Sequence, residues 1–197
     1  MIEEDLIKFE RDMANCFNKA KIKAPIHLHG NNEKQLINIF KEVKSEDWVF
    51  SSWRSHYHCL LKGVPHNILK KDIINGKSIN LIYPDYKIYT SAIVGGIIPI
   101  ALGTALALKK DNVRENVFLF LGEMTSETGA AHEAHKYAVS FDLPIKFILE
   151  INHKSVCTNT LKTWNMKKYS LIGKSKVIHY EYDLPWPHAG AGVRVQF

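Results

Sequence analysis

At 197 residues the chain is long enough for one core of native size and too short for two comfortable domains, so a single domain over 1–197 is expected, opening with a helix inside 1–22. Hydrophobic residues make up 46% and charged residues 23%, with both signs spread along the chain, which excludes a disordered or membrane-embedded polypeptide. The net charge of +6 comes from scattered pairs such as Lys70-Lys71, Lys109-Lys110 and Lys167-Lys168, without a zinc knuckle, RNA-binding signature or arginine-rich arm, and reads as solvated surface rather than a nucleic-acid interface.

The N-terminal MIEEDLIKFERDM is acidic and amphipathic, unlike a signal or transit peptide, and no apolar run reaches the roughly 20 residues of a membrane helix. A cytoplasmic protein is expected. Cys16, Cys59 and Cys157 form no CxxC pair and read as reduced thiols. Leu6, Ile7, Phe9, Met13, Cys16 and Phe17 recur at spacings of mostly three and four, which predicts a helix over 3–21. After Pro25 comes the irregular piece IHLHGNN, then a second predicted helix over 33–43 with Leu36, Ile37, Ile39 and Phe40 inside. WVFSSWR reads as extended; residues 66–75 form a helix ending at Gly76; residues 78–91, with Pro84, form a loop-rich connection.

Gly95-Gly96 opens IIPIALGTALALKK, a helix whose apolar composition predicts a central, buried position. VFLFL is a continuous apolar run and therefore a buried, parallel strand; a helix over 127–141 follows, and IKFILEI repeats the strand pattern. KVIHYEY and VRVQF are the last strand candidates, separated by DLPWPHAGAG. Strand, loop, helix and strand in this spacing describe βαβ units of an open, mostly parallel sheet flanked by helices. Ligands of such sheets sit at the carboxyl ends of the strands, which singles out residues 122–127 and 152–155.

Glu123 stands just past one strand end, and Asn152 occupies the matching place after the next strand. Two oxygen-bearing side chains on neighbouring strand tips, beside a helix start, suit a magnesium–diphosphate complex, and a nucleotide or sugar-phosphate site equally well. The same residues also read as simple caps of helix and loop. His132-Glu133-x-His135 lacks the four-residue spacing of the zinc-protease pattern and a third ligand, so zinc is set aside.

Gly122-Glu123-Met124, followed after twenty-six residues by Ile151-Asn152, has the spacing of the motif Gly-Asp-Gly then Asn-Asn. IHLHGNNE resembles His-Leu-x-x-Gly-Gln-Glu, SSWRSHYHCLLKG resembles a Tyr-Arg-x-His segment, and SAIVGGIIPIALGTALALK resembles a Gly-Ile-Val-Gly helix start. On these collinear segments, covering about residues 25–158, the chain resembles a shortened alpha subunit of the thiamine-diphosphate-dependent 2-oxo-acid dehydrogenase first component.

The resemblance implies the thiamine-diphosphate-binding fold, in its diphosphate-binding form. It implies that Glu123, the Asn152 side chain and the Lys154 carbonyl hold magnesium against thiamine diphosphate, with Gly122 and Met124 flanking. It places Arg54 on the phosphates, Trp53 where the family has tyrosine, and the backbones of Ala92 and Val94 against the aminopyrimidine ring. His27 falls close to the reacting carbon, His56 and His58 are candidate helpers, and His188 matches a loop histidine near the diphosphate. The implied reaction is cleavage or acyl transfer at a 2-oxo acid, a small-molecule substrate. A separate beta-like chain is implied as the source of the pyrimidine domain, in an α2β2 assembly, with a lipoyl carrier as a further partner.

Several positions depart from the pattern: Glu123 replaces Asp, Met124 the second glycine and Ile151 the first asparagine; residues 157–176 are far shorter than in the large dehydrogenases; and the regulatory phosphorylation loop is not recognisable. Glu127 followed by Gly129 also resembles a transketolase feature, which keeps a split ketol transferase as an alternative, beside a non-catalytic scaffold.

Overall fold

A computed structural model describes residues 1–194. Helix α1, Glu3–Asn18, turns Leu6, Phe9, Met13 and Cys16 inward, as their spacing requires, and carries Glu3, Glu4 and Asp5 in the first turn, where negative charge suits the helix N-terminus. It stops before Lys21 because Ala20 adopts a left-handed backbone, φ 54°. Helix α2 covers Glu33–Phe40, three residues short of the expected end.

Only the first half of WVFSSWR is extended, as strand β1, Trp48–Ser51. The chain then turns into α3, His56–Leu61, a helix the sequence reading did not anticipate. Residues His56, Tyr57, His58, Cys59 and Leu60 are all buried, so this helix shows no polar face and therefore no amphipathic period. Helix α4, His66–Asp72, runs on into a wide helical turn, Ile73–Lys77, where Gly76 takes φ 85°. The connection after it contains a small antiparallel hairpin, β2 (Ile82–Tyr83) and β3 (Ile88–Thr90).

Helix α5, Ile97–Lys110, is followed by β4 (Val117–Gly122), a short α6 (Glu123–Ser126), α7 (Gly129–Ser140) and β5 (Ile145–Ile151). A two-residue hairpin, β6 (Lys154–Ser155) with β7 (Thr158–Asn159), leads to α8, Thr160–Thr163, and β8 covers Val177–Glu181. The strand expected at VRVQF falls, for residues 195–197, outside the described residues. Among the described residues no helix is long and apolar enough to cross a membrane.

The chain groups into two compact units. The first comprises Met1–Ser45, Trp53–Ala92 and the described part from Asp183 onward; the second comprises Glu46–Ser52 and Ile93–Tyr182. In the first unit α1 packs on α2 and α3, and α3 on α4. The second unit is built on parallel strands in the order β1-β4-β5-β8, with Trp48 beside Val117, Val117 beside Ile145 and Phe147 beside Val177. Residues 117–121 of β4 are buried without alternation, the signature of a strand covered on both faces. Asp47 pins the strand starts: its carboxylate accepts the Asn116 N–H at 2.7 Å, while the Trp48 N–H donates to the Asn116 carbonyl.

Helix α5 corrects one expectation. It packs on β4 and α7 through Ile97, Ile98, Ala101 and Ala105, but Ile100 is 44% exposed, and Ile93 and Val94 before the helix are more so. Apolar composition all round a helix tells that both faces avoid water, not which of them this chain covers.

The packing predicts that Leu119→Ala, in a fully buried site on a central strand, lowers stability by about 2–5 kcal/mol in urea unfolding. Ile100→Ala on the open face of α5 should change it by no more than about 0.5 kcal/mol.

Candidate functional site

In the second unit the parallel register sets Gly122 of β4 against Glu150 of β5, so that both chains leave the sheet at the same edge. Glu123 begins α6 directly after β4 and is 2% exposed. One carboxylate oxygen accepts the Asn152 N–H at 3.4 Å and the other the Thr160 hydroxyl at 3.1 Å. Burial pushes the Glu123 carboxyl above the usual carboxylate range, against its own backbone N–H, these two donors and the nearby His153. No lysine or arginine pairs with it among the described residues.

Asn152 leaves β5 in a tight turn: its side-chain oxygen accepts the Lys154 N–H at 3.0 Å, and its amide donates to the Tyr182 hydroxyl at 3.3 Å. Lys154 opens the hairpin β6–β7, paired with Asn159. Met124 sits inside α6 with a helical backbone, so the loss of a glycine there carries no strain; its sulfur accepts the Trp164 indole N–H at 2.9 Å. A Cβ at Gly122 would also meet nothing within 4 Å. Val94 is 56% exposed. The helix expected over 127–141 is α7, Gly129–Ser140, and the four-residue α6 before it was not expected.

Thr160 and Tyr182 are functional candidates that the sequence reading missed. Thr160 lies thirty-seven positions from Glu123 and carries no motif of its own. The only local signal is Asn159, which caps α8 by accepting the Lys162 N–H at 2.9 Å and so fixes the turn on which Thr160 sits.

The first unit brings four other expected residues together. His27 Nδ1 donates to the His188 carbonyl at 2.7 Å, which leaves Nε2 as the basic nitrogen. Arg54 donates through Nε to the Leu28 carbonyl at 2.9 Å and reaches the His188 carbonyl at 3.5 Å. The His27 ring stands edge-on to His188 at 4.6 Å between centroids and 5.8 Å from Trp53. Burial first, then the charge of Arg54, depress the imidazoles: His27 drops from its ordinary 6.5 to about 4, the His188 carbonyl partly opposing the fall, and His188 is lowered too. Both rings are therefore neutral near pH 7.

His56 is placed differently. It is fully buried, with Nδ1 at 2.9 Å from Glu10 and Nε2 at 2.8 Å from the Ser78 hydroxyl, so both nitrogens are engaged inside the packing. His58 is buried as well, edge-on to His29. Ala92, half-buried, ends the central stretch of this unit. Gly30 is needed for close approach: a Cβ there would lie 2.5 Å from the Pro185 ring of the loop that carries His188.

The family model described as dehydrogenase E1 component matches residues 4–180. Among curated relatives, pyruvate dehydrogenase E1 component subunit alpha of Rickettsia bellii is 26% identical over 180 residues, 86% of this chain and 55% of the relative. The alpha subunits of acetoin:2,6-dichlorophenolindophenol oxidoreductase from Cupriavidus necator and Bacillus subtilis are 28% and 25% identical, over 73% and 88% of this chain and 46% and 59% of their own lengths. The chain thus spans about half the length of the curated relatives it matches. The X-ray structure of an enzyme from Mycobacterium smegmatis aligns over 66% of this chain and 22% of its own, at 18% identity and a TM-score of 0.45, too loose to bear on the reading.

The depressed His27 has a consequence for stability. The unfolded chain takes up a proton below 6.5 and the folded chain only near 4, so stability falls as pH drops through that window and is fully present above it. Integrated from pH 7 to pH 4 the loss is about 3 kcal/mol, and His27→Gln should remove that part of the pH dependence in denaturant titrations.

Proposed function

The chain belongs to the dehydrogenase E1 component family, and from that premise we propose that it is the alpha-like subunit of a thiamine-diphosphate-dependent enzyme that cleaves a bond next to the carbonyl of a 2-oxo acid. The observation that carries this reading is Glu123, a carboxylate withdrawn from water at the tip of β4, beside Asn152 at the tip of β5, with no lysine or arginine paired with it among the described residues. A buried charge of that kind calls for a counter-ion.

The donor set fits magnesium. Glu123, the Asn152 side-chain oxygen and the Lys154 carbonyl are hard oxygen ligands, the type that magnesium takes together with ligand phosphates. The Asn152 N–H and the Thr160 hydroxyl take different Glu123 oxygens, and the two oxygens together can accept about four hydrogen bonds. Thr160 and the Asn152 N–H hold the carboxylate in place. Gly122 and Met124 form the adjoining backbone, and Val94, exposed ahead of α5, offers its own. Thiamine diphosphate, when bound, supplies the electron sink for breaking a carbon–carbon bond.

In the first unit His27 and His188 are assigned to proton transfer, as neutral imidazoles whose burial makes them weaker bases than a free one. The Arg54 guanidinium, fixed by two carbonyls, keeps N–H groups for an anionic ligand. Trp53 closes the cluster as an apolar ring, and Ala92 is assigned to the backbone that meets the ligand. His56 is given a positioning role, holding Glu10, rather than one in proton transfer. Glu127 accepts the Ser170 N–H at 2.8 Å and flanks His132 at 3.7 Å, a structural engagement that lends no support to the ketol-transferase alternative.

The relatives' names as alpha subunits support a companion subunit; that it is a beta-like, pyrimidine-domain chain in an α2β2 assembly, with a lipoyl carrier as acceptor and the cytoplasm as the location, is part of the proposal.

Calorimetric titration of thiamine diphosphate with magnesium, into the chain alone and then with a beta-like chain, tests the reading. Binding should require the metal and tighten with the partner, and Glu123→Ala should weaken it by roughly 100-fold. Binding that ignores both metal and Glu123 would overturn the assignment, and no binding in the assembled complex would leave a non-catalytic scaffold.

A further inference from the structure

The first unit contains a cavity of about 310 Å³, near the small end of the range of ligand pockets, about 300–1,000 Å³. Ile7 and Glu10 of α1, His29, Glu33, Tyr57 of α3 and Trp186 are among the residues that line it. The proposed chemistry of His27, Arg54 and His188 uses none of these side chains.

Its polar groups are unusual for their burial. Glu10 is 1% exposed and Glu33 7%, yet they differ in their hydrogen-bond partners. Glu10 faces His56 and also accepts the His29 N–H at 2.8 Å. Glu33 accepts only the Tyr57 hydroxyl, at 2.8 Å, among the described residues. It stands in the first turn of α2, where helix N–H groups favour negative charge. Arg11 lines the cavity too but is exposed on α1 and pairs with neither carboxylate among the described residues. Glu33 thus lines the space with a hydroxyl, and no nitrogen donor, on its carboxylate among the described residues.

His29 is fully buried and stacked on Tyr57 at 4.6 Å, with Nδ1 at 3.3 Å from the Asn32 amide. Its Nε2 has no hydrogen-bond partner. An orphaned buried nitrogen costs about 1–3 kcal/mol unless something satisfies it. In one tautomer Nε2 is a donor and in the other an acceptor, and a hydroxyl group satisfies both. Tyr57 and Trp186 add aromatic walls, which tolerate a positive charge, and Ile7 adds an apolar one.

We propose that this cavity binds a small ammonium compound carrying a hydroxyl group, the ammonium on Glu33 among the aromatic rings and the hydroxyl on His29 Nε2. A monocation pairs with the Glu33 carboxylate, and the hydroxyl satisfies the orphaned His29 Nε2. Trp186 reports occupancy directly, because its indole N–H donates to the His29 carbonyl at 2.7 Å.

The test is calorimetric titration of the full chain with 2-aminoethanol, against propylamine, propan-1-ol and propanoate as probes that lack the hydroxyl, lack the charge or reverse it. The expected ranking is 2-aminoethanol first, propylamine about tenfold weaker for want of one hydrogen bond to a buried partner, and no saturable response to propanoate. The Trp186 indole resonance should shift with 2-aminoethanol alone or with propylamine. Glu33→Gln should weaken 2-aminoethanol by about tenfold or more, and His29→Phe should bring it down to the level of propylamine. Should either variant unfold, the ranking on the unsubstituted chain and the Trp186 shift still decide. Equal binding of propanoate, no saturable binding of 2-aminoethanol, or binding that leaves Trp186 unmoved would overturn the proposal.

Discussion

The pairing of β4 with β5, residue against residue from Val117 with Ile145 to Gly122 with Glu150, is the constraint on which the second unit depends. Because the strands are parallel and in this register, both leave the sheet at one edge, and the residues that follow them, Glu123 and Asn152, meet there. The apolar runs that make these strands also bury their ends. A carboxylate at such an end is taken out of water, and its solvation is replaced by the Asn152 N–H and the Thr160 hydroxyl. Those two neutral donors orient the group without neutralising it, which is the arrangement that an oxygen-ligated cation requires.

The first unit is held together by buried polar groups. Glu10 gathers the His29 N–H and the His56 ring, Glu33 takes the Tyr57 hydroxyl, and the His188 carbonyl collects His27 and Arg54. Each links segments far apart in the chain: α1 with α3, and the loop after Pro25 with the loop after Asp183. Hydrogen-bonded groups of this kind are costly to leave half satisfied, so they specify one arrangement of otherwise irregular backbone. The same burial keeps His27 and His188 uncharged at neutral pH, which joins the packing of the loops to their proposed role in moving protons.

Elements with a clear period were legible in the sequence: α1 by its three-and-four spacing, β4 and β5 by unbroken apolar runs, and the strand-tip position of Glu123 and Asn152 that follows from them. Elements without a period were not. All of α3 between His56 and Leu60 is buried, so no alternation betrays it, and the short hairpin of β2 and β3 is set by the left-handed Lys87 rather than by side-chain pattern. Burial of α5 was overread, since composition cannot say which face another surface covers. In the site, motif spacing located the charged residues but not their supports. Thr160 and Tyr182 come from later turns, and the engagement of both His56 nitrogens depends on Glu10 and Ser78, which no local signal connects to it.

The protonation state of Glu123 reports most directly whether this buried carboxylate awaits a metal–diphosphate counter-ion, as proposed. Carbon-13 NMR of the Glu123 carboxyl, followed through pH, should show a midpoint above the usual carboxylate range in the chain alone, in keeping with its burial. Magnesium with thiamine diphosphate should bring that midpoint below the range, because a nearby cation favours the ionised form. An ordinary midpoint that magnesium and thiamine diphosphate leave unchanged would contradict the account.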